Sequence, residues 1–245
     1  MWTVHSFSSV SSTQDVARQY LAEGRPLPFA ILADEQTAGR GRSGNQWISP
    51  PAGNLYSSIC PKISPEVPLR DAGQYSFLTA VSLQETLAVF GVASAQNKWP
   101  NDILVDGRKI AGILIESNGN AQGNLGGLII GVGVNLAAAP AGAVSLGELI
   151  GASVSPQEFL ASFLDHLQAE IGYYSAHGFA PLRQKWLAKA YGLGLDMRVR
   201  LPHESFTGKF IGLDTDGSLL VLETGRENPR RVYSGEVFFE QSPRV

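Results

Sequence analysis

The segment Gly39-Arg-Gly-Arg-Ser-Gly44 constrains this chain more than any other stretch. Three glycines in six residues are too many for a helix or a strand, since each gives up the most backbone freedom on ordering. The spacing matches G-x-G-x-x-G, the phosphate turn of the dinucleotide fold. That turn must lead from a strand into a helix. Here it leads into Asn45-Gln-Trp-Ile-Ser-Pro-Pro51, where Pro50 and Pro51 oppose a helix. A dinucleotide-binding fold is therefore rejected. Two readings remain: a solvated loop, or an anion-binding loop in which glycine lets backbone N–H groups come close and Arg40 and Arg42 add fixed cationic forks. The interleaved arginines favour the second.

Composition narrows the rest. The 245 residues are 44% hydrophobic, enough for one large domain or one domain plus a small one. Lys and Arg number 19 against 22 Asp and Glu, a formal net charge of -3. Such a balance provides no global basic field for nucleic acid. Cys60 is the single cysteine, so no intrachain disulfide forms, and a reducing compartment, the cytoplasm, is expected. Met1 to Val10 has neither a basic n-region nor a long apolar h-region, so no secretory signal is expected. No apolar run approaches the roughly 20 residues of a membrane helix. The chain starts almost directly in patterned structure, so no separate N-terminal DNA-binding module is expected.

Ser12 or Thr13 caps a helix predicted over Gln14 to Glu23, with Gly24 near its end. Strands are expected at Phe29 to Asp34 and Leu55 to Cys60, and a helix over Gly73 to Phe90. Lys109 to Glu116 and Leu128 to Leu136 read as strands joined by a hairpin-type connection at Asn118-Gly119-Asn120. Ala137 to Gly147 reads as a loop. Ser155, Pro156 and Glu158 mark a helix start, and that helix should reach about Ala176. A last helix is expected over Pro181 to Ala190. Beyond it, Met197 to Leu201, Phe206 to Leu213, Ser218 to Glu223 and Arg231 to Phe239 read as short strands of a small all-β barrel. The boundary falls near Tyr191 to Leu195.

Other polar segments admit two readings each on local chemistry. Lys98-Trp-Pro-Asn-Asp102 is either a surface turn with a core tryptophan or a stiff turn presenting a cation, an amide and a carboxylate. Lys109 opens a strand, where a lysine is usually solvated, yet Gly112 inside that strand suggests close approach by a ligand or by backbone. Ser12 and Thr13 are caps on the plain reading, and Asn135 a turn residue. His5, His166, His177 and His203 lack metal-ligand spacing. There is no G-x-S-x-G elbow and no Walker A lysine. Cys60, in an apolar strand, reads as packed.

Taken in order, these segments resemble the biotin–protein ligase family. The matching pieces are Ser12-Thr13, Gln36-Thr-Ala-Gly39-Arg-Gly-Arg42 with Trp47 downstream, Asn54-Leu-Tyr56 and Lys98-Trp-Pro-Asn-Asp102. Lys109-Ile-Ala-Gly-Ile-Leu114, Gly131-Val-Gly-Val-Asn-Leu136 and Gly235-Glu236-Val237 follow. The glycine–arginine loop and the Lys-Trp-Pro-Asn-Asp block are specific as a pair. One departure stands out: some relatives carry basic residues around Ser43 to Gln46, and this chain has none there.

The resemblance implies an α+β fold. Residues 1–192 would form a catalytic domain, a mixed β-sheet flanked by helices and class II synthetase-like. Residues 193–245 would form a small SH3-like β-barrel. It implies ATP and biotin as substrates, Mg²⁺, and a biotin carboxyl carrier protein domain as acceptor. Arg42, Lys98 and Lys109 would be catalytic. Ser12, Thr13, Gln36, Gly39, Arg40, Arg42, Trp47, Tyr56, Lys109 and Gly112 would hold biotin. Arg40, Arg42, Lys98, Asn101, Asp102 and Asn135 would face the nucleotide, Asp102 through a metal or the ribose. Neither operator binding nor membrane attachment is expected, and a homodimer through a sheet edge fits the family. Rival readings are a lipoate or other acyl–protein ligase, and a non-catalytic biotin-binding module.

Overall fold

A computed structural model describes residues 1–51 and 53–239. The first seven strands form one mixed sheet. They are β1 (Thr3–Phe7), β2 (Phe29–Ala33), β3 (Leu55–Cys60), β4 (Gln96–Lys98), β5 (Asp102–Val105), β6 (Arg108–Gly119) and β7 (Leu125–Val134). Their spatial order is β1-β2-β3-β7-β6-β5-β4, with β1 parallel to β2 and every other neighbour antiparallel. Every residue of β2 and β3 is buried, as for strands covered on both faces.

The two faces are legible in β2. Phe29 and Ile31 pack with Ala17 of α1 (Thr13–Ala22), while Ala30 and Leu32 point into the main core. That core lies under α2 (Gln74–Val89), and α4 (Pro156–His177) and α5 (Phe179–Ala188) pack against α2 from outside. Ser155 caps α4 as expected, its side chain accepting from Glu158 N at 3.1 Å. No helix of the described residues is long and apolar enough to cross a membrane.

After α5 the chain forms β8 (Asp196–Arg200), β9 (Ser205–Leu213), β10 (Leu219–Glu223), β11 (Arg230–Val232) and β12 (Glu236–Phe239). These make an antiparallel sheet in the order β11-β10-β9-β8-β12. Its buried face, including Val199, Phe210, Val221 and Val237, is continuous with the main core. Trp99 Nε1, just after β4, donates to Gly217 O in the β9–β10 turn at 3.3 Å, and Tyr191 N, in the connection between α5 and β8, donates to Asn97 O of β4 at 2.8 Å.

Several expectations need correction, and β4 and β5, like β1, lie outside every expected strand. β1 was not expected; its pattern is mostly exposed because it is an edge strand, so no apolar alternation announces it. The stretch Ala137 to Gly147 is a loop only up to Ser145, which caps a short helix α3 (Leu146–Ile150). The last helix begins at Phe179 rather than Pro181, directly after Gly178 ends α4 with φ 73°. Arg231 to Phe239 is two strands, β11 and β12, because Tyr233 to Gly235 break the ladder and Gly235 takes φ 156°.

Candidate active site

The site lies on the sheet face that carries α1. Opposed residues share a face in an antiparallel ladder, and the register pairs Gly112 with Gly133 and Leu114 with Gly131. Three glycines thus leave one patch of the sheet without side chains. Above it is a cavity of about 340 Å3. The N-terminus of α1, the 40–47 loop, the Lys98–Asp102 block and the end of β12 enclose it.

At one end sits a polar cluster. Ser12 caps α1, and its Oγ accepts from Gln14 N at 3.3 Å. Thr13 donates to Gln36 Oε1 from both its N (2.9 Å) and its Oγ1 (3.1 Å), and its hydroxyl meets Ser58 Oγ at 2.7 Å. Gln36 Nε2 in turn donates to Ser49 Oγ at 2.9 Å. Ser12 and Thr13 are buried, so they are more than surface caps.

Over the bare patch lies Trp47. A Cβ built on Gly133 would stand 2.4 Å from Trp47 Cε2, and one on Gly112 would stand 2.8 Å from Cζ3. The glycines are what let the indole lie there. Trp47 Nε1 is buried and, among the described residues, has no hydrogen-bond partner. Lys109 Nζ stands 5.2 Å from the indole centroid, a cation–π contact, and 2.6 Å from Asp102 Oδ1. That ion pair overturns the plain reading of a solvated strand-end lysine.

The glycine–arginine segment is a tight hairpin tip. Gly41 N donates to Asn45 O at 2.7 Å and Trp47 N to Gly39 O at 3.0 Å, with Ser43 and Gly44 at φ 55° and 79°. Its two arginines diverge. Arg40 Nη1 binds both oxygens of Asp15, at 2.8 and 3.0 Å, and its Nη2 is 3.5 Å from Glu116. Arg42 turns inward, and its Nη1 donates to Asn101 Oδ1 at 3.2 Å. Burial lowers the pKa of Arg42, opposed by the charges of Asp102 and Glu236. Burial likewise pulls the Lys98 ammonium below the usual lysine range, and the carboxylate of Asp102 works against that shift.

The cavity therefore gathers Ser12, Thr13, Gln36, Arg40, Arg42, Trp47, Lys98, Asn101, Asp102, Lys109 and Gly112. Three expected ligand contacts stand behind its wall instead. Gly39 packs on the Trp47 carbonyl, where a Cβ would come within 2.4 Å. The Tyr56 hydroxyl donates to Pro50 O at 3.0 Å and accepts from Asn54, so it braces the segment behind Trp47. Asn135 directs its amide N–H groups to Lys109 O at 3.4 Å and Val144 O at 3.3 Å, fixing the backbone under Lys109.

Several participants had no local signal. Asp15 and Glu116 pair with Arg40 from α1 and β6, contacts that only the fold creates. The C-terminal sheet contributes Arg200, Glu236 and Phe238 to the wall. Arg200 Nε donates to Glu236 Oε2 at 2.9 Å, and Lys98, Arg198 and Arg200 all approach the Phe238 ring. Glu236 lies in the Gly235-Glu236-Val237 match, which carried no assigned role. Among the described residues no cluster of three or more His, Cys, Asp or Glu is placed to hold a metal.

Chemically, this is a glycine floor covered by the Trp47 indole, with a polar cluster at one end and Arg42, Lys98 and Lys109 converging at the other. It suits an apolar acid whose carboxylate meets a phosphate. Comparison with known proteins agrees. A family model described as Biotin/lipoate A/B protein ligase family matches residues 6–135, and one described as Biotin protein ligase C terminal domain matches 197–240. The biotin–[acetyl-CoA-carboxylase] ligase of Paracoccus denitrificans is 39% identical over 233 residues, covering 89% of this chain and 93% of that protein. The bifunctional ligase/repressor BirA of Bacillus subtilis is 32% identical over 236 residues, covering 93% of this chain and 71% of that protein. The solved biotin protein ligase of Aquifex aeolicus in complex with biotin and ATP superposes with a TM-score of 0.81 at 27% identity, covering 98% and 99% of the two chains.

Proposed function

This chain belongs to the biotin/lipoate protein ligase family, and on that premise we propose how its residues divide the work of an ATP-dependent biotin–protein ligase. Biotin is activated as biotinyl-5'-AMP and passed to a lysine of a biotin carboxyl carrier protein. The observation that carries the assignment of residues is the convergence of Arg42, Lys98 and Lys109 on one cavity whose floor is glycine.

Biotin is an apolar bicycle with a polar ureido edge, and such ligands take apolar slots with a few placed partners. The Ser12, Thr13 and Gln36 cluster supplies polar partners, Trp47 the apolar lid, and Arg40 a cation at the rim. Gly39 lets the Trp47 carbonyl and the Gln36 side-chain amide close in on it, and Tyr56 braces the lid from behind. In activation, a carboxylate oxygen of biotin attacks the α-phosphorus of ATP and pyrophosphate departs. Both reactants are anions. Fixed cations in a water-poor site offset that repulsion better than in bulk solvent. Arg42, Lys98 and Lys109 take this role, Asn101 and Asp102 face the nucleotide, and Asn135 sets the height of Lys109. In transfer, the carrier amine attacks the activated carbonyl and AMP leaves as an amide forms. The mixed anhydride must be kept from water until then, which the Trp47 segment serves.

Mg²⁺ is held in nucleotide sites by one or two carboxylates plus the substrate's phosphates. Asp102, with Glu236 on the same cavity wall, fits that modest donor set. Asp102 would hold the ion, share its charge with Lys109, and let the metal neutralise phosphate oxygens.

We place the domain division at 1–192 and 193–245. The end of α5 at Ala188 and the start of β8 at Asp196 support it. The second unit reads as SH3-like and closes the nucleotide end of the cavity. A cytoplasmic location, no nucleic-acid partner and a homodimer through a sheet edge complete the reading; a single buried cysteine supports the first and the net charge of -3 the second. The test is direct. Purified protein, ATP, Mg²⁺, biotin and a purified carrier domain are combined, and biotinylation is read by mass spectrometry. Label on the acceptor lysine is expected; an unlabelled carrier contradicts the assignment.

A further inference from the structure

A second cleft opens beside the substrate cavity, between the large sheet and the C-terminal one. It encloses about 340 Å3, and its wall includes Arg42, Arg70, Ser76, Asn101 and Asp216. Tyr233, 71% exposed, also lines it. Arg42 and Asn101 line both spaces. Their hydrogen bond therefore lies on the boundary between the cavities.

The charge in this cleft is one-sided. Among the described residues Arg42 has one side-chain hydrogen bond, to the neutral amide of Asn101. Arg70 is exposed and, among the described residues, pairs with no carboxylate. The single carboxylate in the wall, Asp216, is already satisfied. Arg231 Nη2 donates to it at 2.8 Å, and Ser218 donates from its N at 2.9 Å and its Oγ at 2.6 Å. Arg70 thus has no paired carboxylate among the described residues, and the counter-charges of Arg42, which are Asp102 and Glu236, line the first cavity and not this cleft. With Asp216 already satisfied, such a wall suits a small multivalent anion with tetrahedral oxygens.

The reaction provides such an anion. As a carboxylate oxygen bonds to the α-phosphorus, the bond from that phosphorus to the β-bridging oxygen breaks. Its electron pair leaves with pyrophosphate. Attacking and leaving oxygens stand in line on opposite sides of the phosphorus. On the ligase reading the acid lies in the first cavity beside the Trp47 indole, and its carboxylate and the phosphorus meet at Arg42. The leaving group then departs on the far side, where Arg42 and Asn101 give onto the second cleft. Resting on the ligase reading above, we propose that this cleft receives inorganic pyrophosphate, with Arg70 as its outer cation and Arg42 shared between the two spaces.

The full chain is titrated calorimetrically with inorganic pyrophosphate alone, as wild type, Arg70→Ala, Arg70→Lys and Ser76→Asp. Wild type should bind. Arg70→Ala should bind about tenfold more weakly, the scale of one charge-assisted hydrogen bond, and Arg70→Lys should recover part of that loss. Ser76→Asp, which brings an anion into the cleft, should weaken it as well. Biotin affinity should be equal in wild type and both Arg70 variants. No binding by wild type, or equal binding by wild type and Arg70→Ala, overturns the proposal. ATP–pyrophosphate exchange in the wild type separates the two levels. If exchange is absent while pyrophosphate binding still depends on Arg70, the ligase reading fails and the anion site stands.

Discussion

The indole of Trp47 lies directly on Gly133: a Cβ at that position would stand 2.4 Å from Cε2 and 2.5 Å from Cζ2. No real Cβ sits so close to a ring, so any side chain there must push the indole off the floor. Gly133 has no positive φ that would forbid alanine. Gly133→Ala should therefore keep the fold and disturb the lid. Displacing the indole predicts a clear loss of biotin affinity by calorimetry, while overpacking of this kind lowers folding stability by only about 1–3 kcal/mol, so the variant still unfolds cooperatively. Unchanged affinity would show that Trp47 does not close the biotin slot.

Arg42 and Lys98 are cations of the cavity whose pKa values burial lowers. Arg42→Ala and Lys98→Ala should each slow adenylate formation by at least ~100-fold, the scale of losing one group that stabilises developing charge. Single-turnover measurement of biotinyl-adenylate checks this. Normal rates in both variants would remove them from the chemistry.

A pH dependence follows from Lys98. Burial lowers its pKa, so the ammonium loses its proton below the ordinary lysine value of about 10.4. Rising pH converts the cation to a neutral amine, and adenylation should fall on an alkaline limb that begins below that value. Arginine stays protonated throughout this range. In Lys98→Arg the limb should move to higher pH; a limb left in place would assign it to another group.

Much of this was legible in the residues. Leu55 to Cys60 is a continuous apolar run, and it is a central strand with the expected bounds. Ser155, Pro156 and Glu158 carry their own start signal, and α4 begins there. The site's motifs were legible because each chemistry sits in one short block. What stayed hidden depends on long-range contact. Neither the Asp15 partner of Arg40 nor the Tyr56 hydroxyl bond to Pro50 has a pattern in sequence. β1 escaped because an exposed edge strand buries too little to alternate. Asn135 reads equally as ligand or brace until the backbone around Lys109 is in place.

Cys60 offers a check on packing that is independent of the ligands. It is fully buried in β3, and burial pushes its thiol up to about 12. The thiolate is the reactive form. At pH 8 a disulfide reagent should leave the native protein nearly unmodified and react at once after unfolding in guanidinium. Rapid reaction of the native protein would contradict the packing of α1 on the sheet.

The central claim is that the cavity joins biotin to the α-phosphate of ATP. ATP–pyrophosphate exchange, with Mg²⁺ and with biotin, lipoate or no added acid, tests it most directly. Exchange with biotin alone is the predicted result. Exchange with lipoate and not with biotin, or with neither acid, would contradict it.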